Sequence, residues 1–248
     1  MRIRPANRIS SLIDAAVRVF SAKGFRRAQM ADIAREMGVS QGLLYNYVES
    51  KEALFYLVVD RGLTQENEAE SLSFPVRTPA PGAIVKRLTE RFRRDLGMPL
   101  LSAAIKRAQA HDPSAELEAV VRELYASVDR NRHATTMLER SALDMPELAA
   151  LFYGKMRPHL ISRLTRFIEL RIEAGQFRPV PYPAVAARLI LETVTWFARN
   201  RRGDPASQDI SDQAAEEATV DFLVNSLVPP SRRMKTARTE KQTASTHR

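Results

Sequence analysis

The chain has 248 residues, of which 44% are hydrophobic and 27% charged, with 9 Gly and 14 Pro. That is enough chain, of globular composition, to bury a real core, and it excludes collagen-like or low-complexity architecture. The absence of Cys removes disulfide frameworks, thiol nucleophiles and Cys-ligated zinc or iron–sulfur sites. No run approaches the ~18 apolar residues of a membrane span, and the first residues lead into a charged amphipathic stretch rather than an apolar signal core, so a soluble cytoplasmic protein is expected.

The formal net charge of +9 is unevenly placed. Residues 1–62 carry ten Lys and Arg against six Asp and Glu, residues 229–248 carry six against one, and the segment between holds 22 of each sign. An excess of cations at both ends suits contact with a polyanion, although a modest basic excess is also what an ordinary solvated surface carries.

Along the chain, Ile9, Leu12, Ile13, Ala16, Val17 and Phe20 recur at helical spacing, predicting a helix over 8–23 with Asn7 as N-cap and Gly24 beyond its end. A short second helix follows with Met30, Ile33, Ala34 and Met37 on one face, Asp32 in its first turn and Gly38 as its stop. Ser40 is a suitable N-cap for a third helix carrying Leu44, Tyr47 and Val48, and Ser50 for a long fourth one bearing Leu54, Leu57, Val58 and Arg61. Residues 73–82, with three prolines in seven positions, read as a linker. Beyond it come helices marked by Ile84, Leu88, Phe92 and Leu96, by Leu100 to Ala108, and by Leu117 to Val128 with Ser114 as cap. From Pro146 a very long helix is predicted to Gly175, kinked or split at Pro158, followed by helices around Val185–Phe197 and Val220–Leu227. No segment alternates with period two, so the fold is expected to be all-α. The residues from Pro229 read as a basic disordered tail.

The second and third helices carry the sharpest functional signal. Two helices joined by a tight glycine bend, with Ala34 where they cross and Ile33, Met37, Val39 and Leu44 holding one on the other, have the pattern of a helix-turn-helix. Such a unit leaves the first turns of its second helix free to enter a major groove. The stretch Ile9 to Leu57, with Ala16, Phe20, Gly24-Phe25, Asp32-Ile33-Ala34, Gly38-Val39-Ser40, Gly42, Leu44-Tyr45, Tyr47, Lys51 and Leu54-Phe55, strongly resembles the DNA-binding domain of the TetR (tetracycline-repressor-like) family.

That resemblance implies roles residue by residue. Gln29, at the start of the second helix, corresponds to a phosphate contact where Thr is usual, with Met30 beside it. Ser40, Gln41, Gly42 and Leu43 correspond to recognition-helix positions facing the groove; Leu43 stands where Thr is common and offers an apolar contact suited to a thymine methyl. Asn46 has the chemistry to read adenine, Tyr45 and Tyr47 correspond to aromatics that reach the DNA backbone, and Lys51 to a phosphate-contacting lysine. Tyr47 reads equally well as a core residue of the Leu44 and Val48 face.

The implied organisation is an N-terminal three-helix helix-turn-helix domain over 1–52, joined by a long helix to a helical ligand-binding and dimerisation domain over 53–228, with the tail over 229–248. Phe92, Tyr125, Met137, Phe152, Met156 and Trp196 are candidates for the wall of a pocket for a largely apolar small molecule, although such residues at helical spacing are more often plain core. Regions 158–174 and 184–199, with Ile168, Ile172, Leu189 and Phe197, are expected to meet their copies in a homodimer. The four His are scattered, and no HExxH, P-loop or GxGxxG occurs. The expected function is a ligand-responsive repressor on a palindromic operator, with no enzyme activity, cofactor or membrane partner. The alternative is an all-helical module for a protein or small molecule that has lost its DNA contacts, which the departures at Gln29 and Leu43 favour.

Overall fold

The computed structural model describes residues 5–62, 73–95 and 97–229, and only the backbone of 5–7, 62 and 91–95 among them. The predicted helix over 63–72, the side chain of Phe92 and the tail from 230 therefore lie outside the described residues. Every regular element described is helical, and the chain divides into two compact units: residues 1–96 with 131–157, and residues 97–130 with 158–248.

The first unit holds α1 (Pro5–Arg27), α2 (Met30–Met37), α3 (Gln41–Leu44), α4 (Lys51–Leu57), α5 (Ala83–Asp95), α8 (Arg132–Ala142) and α9 (Pro146–Leu151). The apolar face read on α1 is buried as expected, yet Ala15 and Val19 are buried too. Helix α8 packs along α1 and contributes Met137, Leu138 and Ala142 to the same core. Met137 is thereby fully buried among helix-packing residues. The helical path of α1 breaks at Gly24, where φ is 74° and ψ 170°. A Cβ there would stand 3.0 Å from the Arg140 carbonyl oxygen and 3.3 Å from an Asp144 carboxylate oxygen, so glycine permits both the conformation and the approach to α8. Phe20, Phe25 and Phe55 then lock α1 to α4, their ring centroids 5.1 to 6.0 Å apart.

Helix α4 ends in a wider π-helical turn, Val58–Gly62. The expected single helix from Pro146 to Gly175 is likewise interrupted by a π-helical turn, Phe152–Met156, before α10 (Arg157–Glu173) begins. Pro158 sits at the second position of α10, where its missing N–H and its ring cannot be fitted to an α-helical ladder reaching back to Gly154; a widened turn absorbs the mismatch.

The second unit holds α6 (Pro99–Lys106), α7 (Pro113–Arg130), α10 from Pro158, α11 (Pro183–Ala198) and α12 (Asp212–Leu227). Asp112, not Ser114, caps α7: its carboxylate accepts the N–H groups of Ser114 and Ala115 at 2.9 and 3.1 Å. The main cross-link is Arg171, whose side chain is wholly buried. It meets Glu116 through Nε at 2.6 Å and a terminal nitrogen at 3.0 Å, and donates to the carbonyls of Ala104 at 2.8 Å and Arg107 at 3.2 Å. One arginine thus satisfies the open end of α6 and the start of α7 together. Ile168, expected on a seam between copies, is instead buried in the core of this unit, because the face of α10 it shares with Leu164 and Phe167 packs inward.

Two predictions follow from these constraints. Gly24→Ala lowers stability by about 2–4 kcal/mol, since it meets both a disallowed backbone region and a neighbouring carbonyl, whereas Gly38→Ala, with open space around its Cβ, costs about 1–2 kcal/mol; thermal melting separates the two. Arg171→Met costs about 3–5 kcal/mol in urea denaturation by stranding Glu116, and Arg171→Met with Glu116→Leu recovers only part of that, the carbonyls of Ala104 and Arg107 staying unpaired.

Candidate nucleic-acid interface

The helix-turn-helix is built from backbone rules. Asp32, in the first turn of α2, accepts the Gln29 N–H at 3.1 Å and so caps the helix start. Lys23 reaches the same carboxylate at 2.8 Å and Arg35 at 3.4 Å. The Lys23 ammonium, then the Gln29 amide, hold the Asp32 carboxyl below the usual aspartate range. At the other end Gly38 turns the chain at φ 69°, and the N–H of Val39 returns to the Ala34 carbonyl at 2.9 Å. Ser40 then opens α3 without its hydroxyl acting as a cap, and α3 lasts only one turn, Gln41–Leu44. The sequence expectation that Tyr47 and Val48 continue this helix is corrected: after Leu44 the chain turns and Val48 forms an isolated bridge with Val76.

Ser40, Gln41, Gly42, Tyr45 and Asn46 are exposed on this element, and Gln29 is exposed at the start of α2. The Gln41 side-chain amide lies 3.4 Å from the Tyr45 hydroxyl, so these two share one edge. Leu43 and Tyr47 are half-buried, and the Tyr47 ring meets Phe74 edge-on at 5.8 Å. Two of the residues implied for DNA contact are used differently by the fold. The Met30 side chain is buried in the core of the first unit, because the apolar face of α2 must cover α1, and this corrects its place among the exposed contacts. The Lys51 ammonium donates to the carbonyls of Arg26 at 3.2 Å and Ala28 at 3.0 Å and sits 4.5 Å above the Phe25 ring. It therefore serves the carbonyls that α1 leaves open before α2.

Sequence reasoning passed over one segment beside this site. The linker 73–82 runs along the end of the recognition segment: the Val76 N–H donates to the Tyr47 carbonyl at 2.8 Å, and the Glu49 N–H to the Val76 carbonyl at 3.0 Å. The signal for it was a Phe and a Val set among prolines, apolar side chains that a solvated spacer does not need.

The other candidates fall in different units. Met137, Phe152 and Met156 belong to the first, and Tyr125 and Trp196 to the second. Phe152 is buried and stacks edge-on with Tyr153, Met156 is half-buried, and Tyr125 is buried on α7, where desolvation raises its hydroxyl above the ordinary tyrosine range. Trp196 is exposed, on the same face of α11 as Val185 and Leu189.

Residues 12–57, which contain all of this turn, match the model of the bacterial regulatory proteins of the tetR family. That segment of the chain is similar to the DNA-binding part of tetR-family proteins. Among curated proteins it is 25% identical to the uncharacterized HTH-type transcriptional regulator YfiR of Bacillus subtilis, over 74% of this chain and 75% of that protein. It is 26% identical to the A-factor receptor protein of Streptomyces griseus over 83% of this chain, a match that spans 59% of the receptor's length. Among solved structures, the ketosteroid transcriptional regulator KstR2 of Mycobacterium tuberculosis superposes with a TM-score of 0.57 at 16% identity, covering 92% of this chain and 97% of that one, a likeness of fold. The chain pairs this helix-turn-helix with a helical C-terminal region, and no helix among the described residues is long and apolar enough to cross a membrane.

The depressed Asp32 carboxyl gives a pH test. Because its folded value lies below its unfolded one, its stabilising share is present above about pH 4 and is lost as pH falls through the folded value. Asp32→Asn therefore melts below wild type at neutral pH, and the gap closes as the solution is acidified past about pH 4.

Proposed function

We propose that this chain is a homodimeric transcriptional repressor that leaves a pseudo-palindromic operator when a small molecule binds it. The observation that carries the reading is the solvent-open polar edge Ser40–Asn46, set at the end of a glycine-turned helix pair. A one-turn helix and the turn that follows it can enter the major groove, with Gln41 and Asn46 able to address base edges and Tyr45 the backbone. Gln29, exposed at the start of α2, has a side-chain NH2 able to donate to a phosphate, its backbone N–H being held by Asp32. The DNA-binding part is assigned to 1–52, the effector and dimer functions to 53–228, and the basic tail to 229–248.

Dimerisation is supported by one face of α11. Val185 and Leu189 are 54% and 60% exposed, Tyr182 just before the helix is 72% exposed and Trp196 37%, and their spacing places them on a single stripe while Ala187, Ile190, Leu191 and Val194 face the core. Exposed apolar side chains on a water-facing helix, with the Arg188–Glu192 ion pair set among them, are costly to leave uncovered, and a symmetric copy of the same face is a complementary cover. A pseudo-palindromic operator calls for two reading edges about one helical turn apart. A small, largely apolar effector fits relatives named for A-factor and for ketosteroids, and a dimer whose two states space the edges differently would respond to it. The proposed site of action is the cytoplasm, where such DNA lies, and no catalytic role is assigned.

Duplexes recovered by the protein from a random-sequence library supply the probe. The protein binds them in gel shift with preference over bulk competitor DNA at moderate salt; absence of any preference refutes the reading and favours the all-helical module without DNA contacts. Gln41→Ala and Tyr45→Ala each weaken that binding about tenfold, or about 1.4 kcal/mol, with unchanged melting. Leu189→Glu gives a monomer in sedimentation velocity and loses the high-affinity palindromic complex.

A further inference from the structure

The segment 73–78 lies outside the residues that match the family model, which end at 57, yet it is fastened to the recognition segment at four successive residues. Phe74 covers the Tyr47 ring edge-on. Val76 pairs with Val48 as one rung of a parallel bridge, its N–H on the Tyr47 carbonyl and its carbonyl on the Glu49 N–H. The Thr78 N–H donates to the Glu49 carboxylate at 2.9 Å, and its hydroxyl donates to the Ser50 hydroxyl at 2.8 Å. That Ser50 oxygen also accepts the Ala53 N–H at 3.0 Å, and so ties the strap to the cap of α4.

The recognition segment needs such a brace. Its α-helical part is one turn long, too short to hold itself by its own hydrogen bonds, and residues 45–50 that follow it are not helical. Val48 is buried and Val76 packs against the same core, so the bridge fixes which of the alternating side chains face inward and which outward. The orientation of Tyr47 is therefore set by residues nearly thirty positions away in the sequence.

We propose that Phe74, Val76 and Thr78 are positioning residues for DNA recognition: the strap sets the pose of Tyr47–Ser50 and through it the sequence preference of the reading edge. This rests on the DNA-binding reading above and adds residues to it that the family motif does not contain. The strap acts through Tyr47–Ser50 and touches no base itself. Its removal therefore lowers discrimination between sequences while leaving the phosphate-led attraction to any duplex.

Fluorescence anisotropy with two labelled duplexes tests this, one recovered by the wild-type protein from a random-sequence library and one of unselected random sequence. Phe74→Ala with Thr78→Val is expected to reduce the preference for the selected duplex about tenfold, with affinity for the random duplex and the melting midpoint close to wild type, and Phe74→Tyr with Thr78→Ser is expected to retain the preference. Thr78→Val alone, which removes one surface hydroxyl, is the second variant should the double one fail to fold, and a smaller loss in the same direction is expected. Full preference in both variants, or a loss that falls equally on both duplexes in step with melting, overturns the proposal and leaves the DNA-binding reading standing. A wild-type protein without preference for any recovered duplex overturns both.

Discussion

A helix of four residues cannot hold itself. Nucleating a helical turn fixes several residues for one hydrogen bond, and only propagation or tertiary contact repays it. Helix α3 stops at Leu44 before propagation begins, so the pose of the exposed polar edge it carries is dictated by what surrounds it. On one side stands Gly38, whose left-handed backbone turns α2 into α3. Beneath lies Leu44, completely buried. On the far side are the cap at Ser50 and the strap through Val76 and Thr78. Groove recognition demands that donors and acceptors be held within small tolerances, and here the scaffold supplies that rigidity instead of the element that carries the side chains.

How much of this was legible in the sequence depended on how local each cause was. The face of α1, the stop at Gly38 and the α4 cap at Ser50 are matters of period and of single-residue propensity, and they were readable. The long-range partners were not. Nothing in the period of α1 announces that α8, more than a hundred residues away, covers a second side of it, and so Ala15 and Val19 were left off the core. Asp112 displaced Ser114 as the α7 cap because Pro113 is a favoured first helical residue, which places the cap one step earlier. The π-helical turn at Phe152–Met156 is a compromise between a proline and a continuing helix, and its position is set by where the widening is least costly, which composition does not encode.

The candidate interface divides the same way. Ser40, Gln41, Gly42, Tyr45 and Asn46 are neighbours in sequence, so any reading that found the turn found them together. Met30 and Lys51 were read by position in a motif, but burial is decided by packing. The methionine faces α1, and the lysine, on a stem long enough to reach either solvent or protein, turns toward carbonyls and an aromatic ring that only the folded chain brings near. The strap was read as a spacer because prolines forbid a helical ladder, but they leave an extended segment free to pair through the residues between them.

One use of charge recurs in both units and alters what the basic composition means. Lys51 closes carbonyls at the end of α1, Arg171 those of Ala104 and Arg107, Arg163 those of Gly97 and Met98 with a hydroxyl of Ser102 beside them, and Arg201 those of Phe197 and Ile210. The cations on the Ala104, Arg107 and Phe197 carbonyls lie at helix C-termini, where the macrodipole favours them, whereas Arg163 lies at the start of α6 and acts as a charge-assisted donor alone. A cation so engaged contributes structure, and its field is partly consumed by carbonyl dipoles and by partners such as Glu116 and Asp212. Among the cations of residues 1–62, Lys51 is turned inward, while Lys23 is paired with Asp32 and Arg18 with Glu36, pairs that the formal charge already nets out. Under the proposed reading, phosphate contacts carry no sequence information, and discrimination comes from the geometry of the short, braced edge between Gly38 and Ser50.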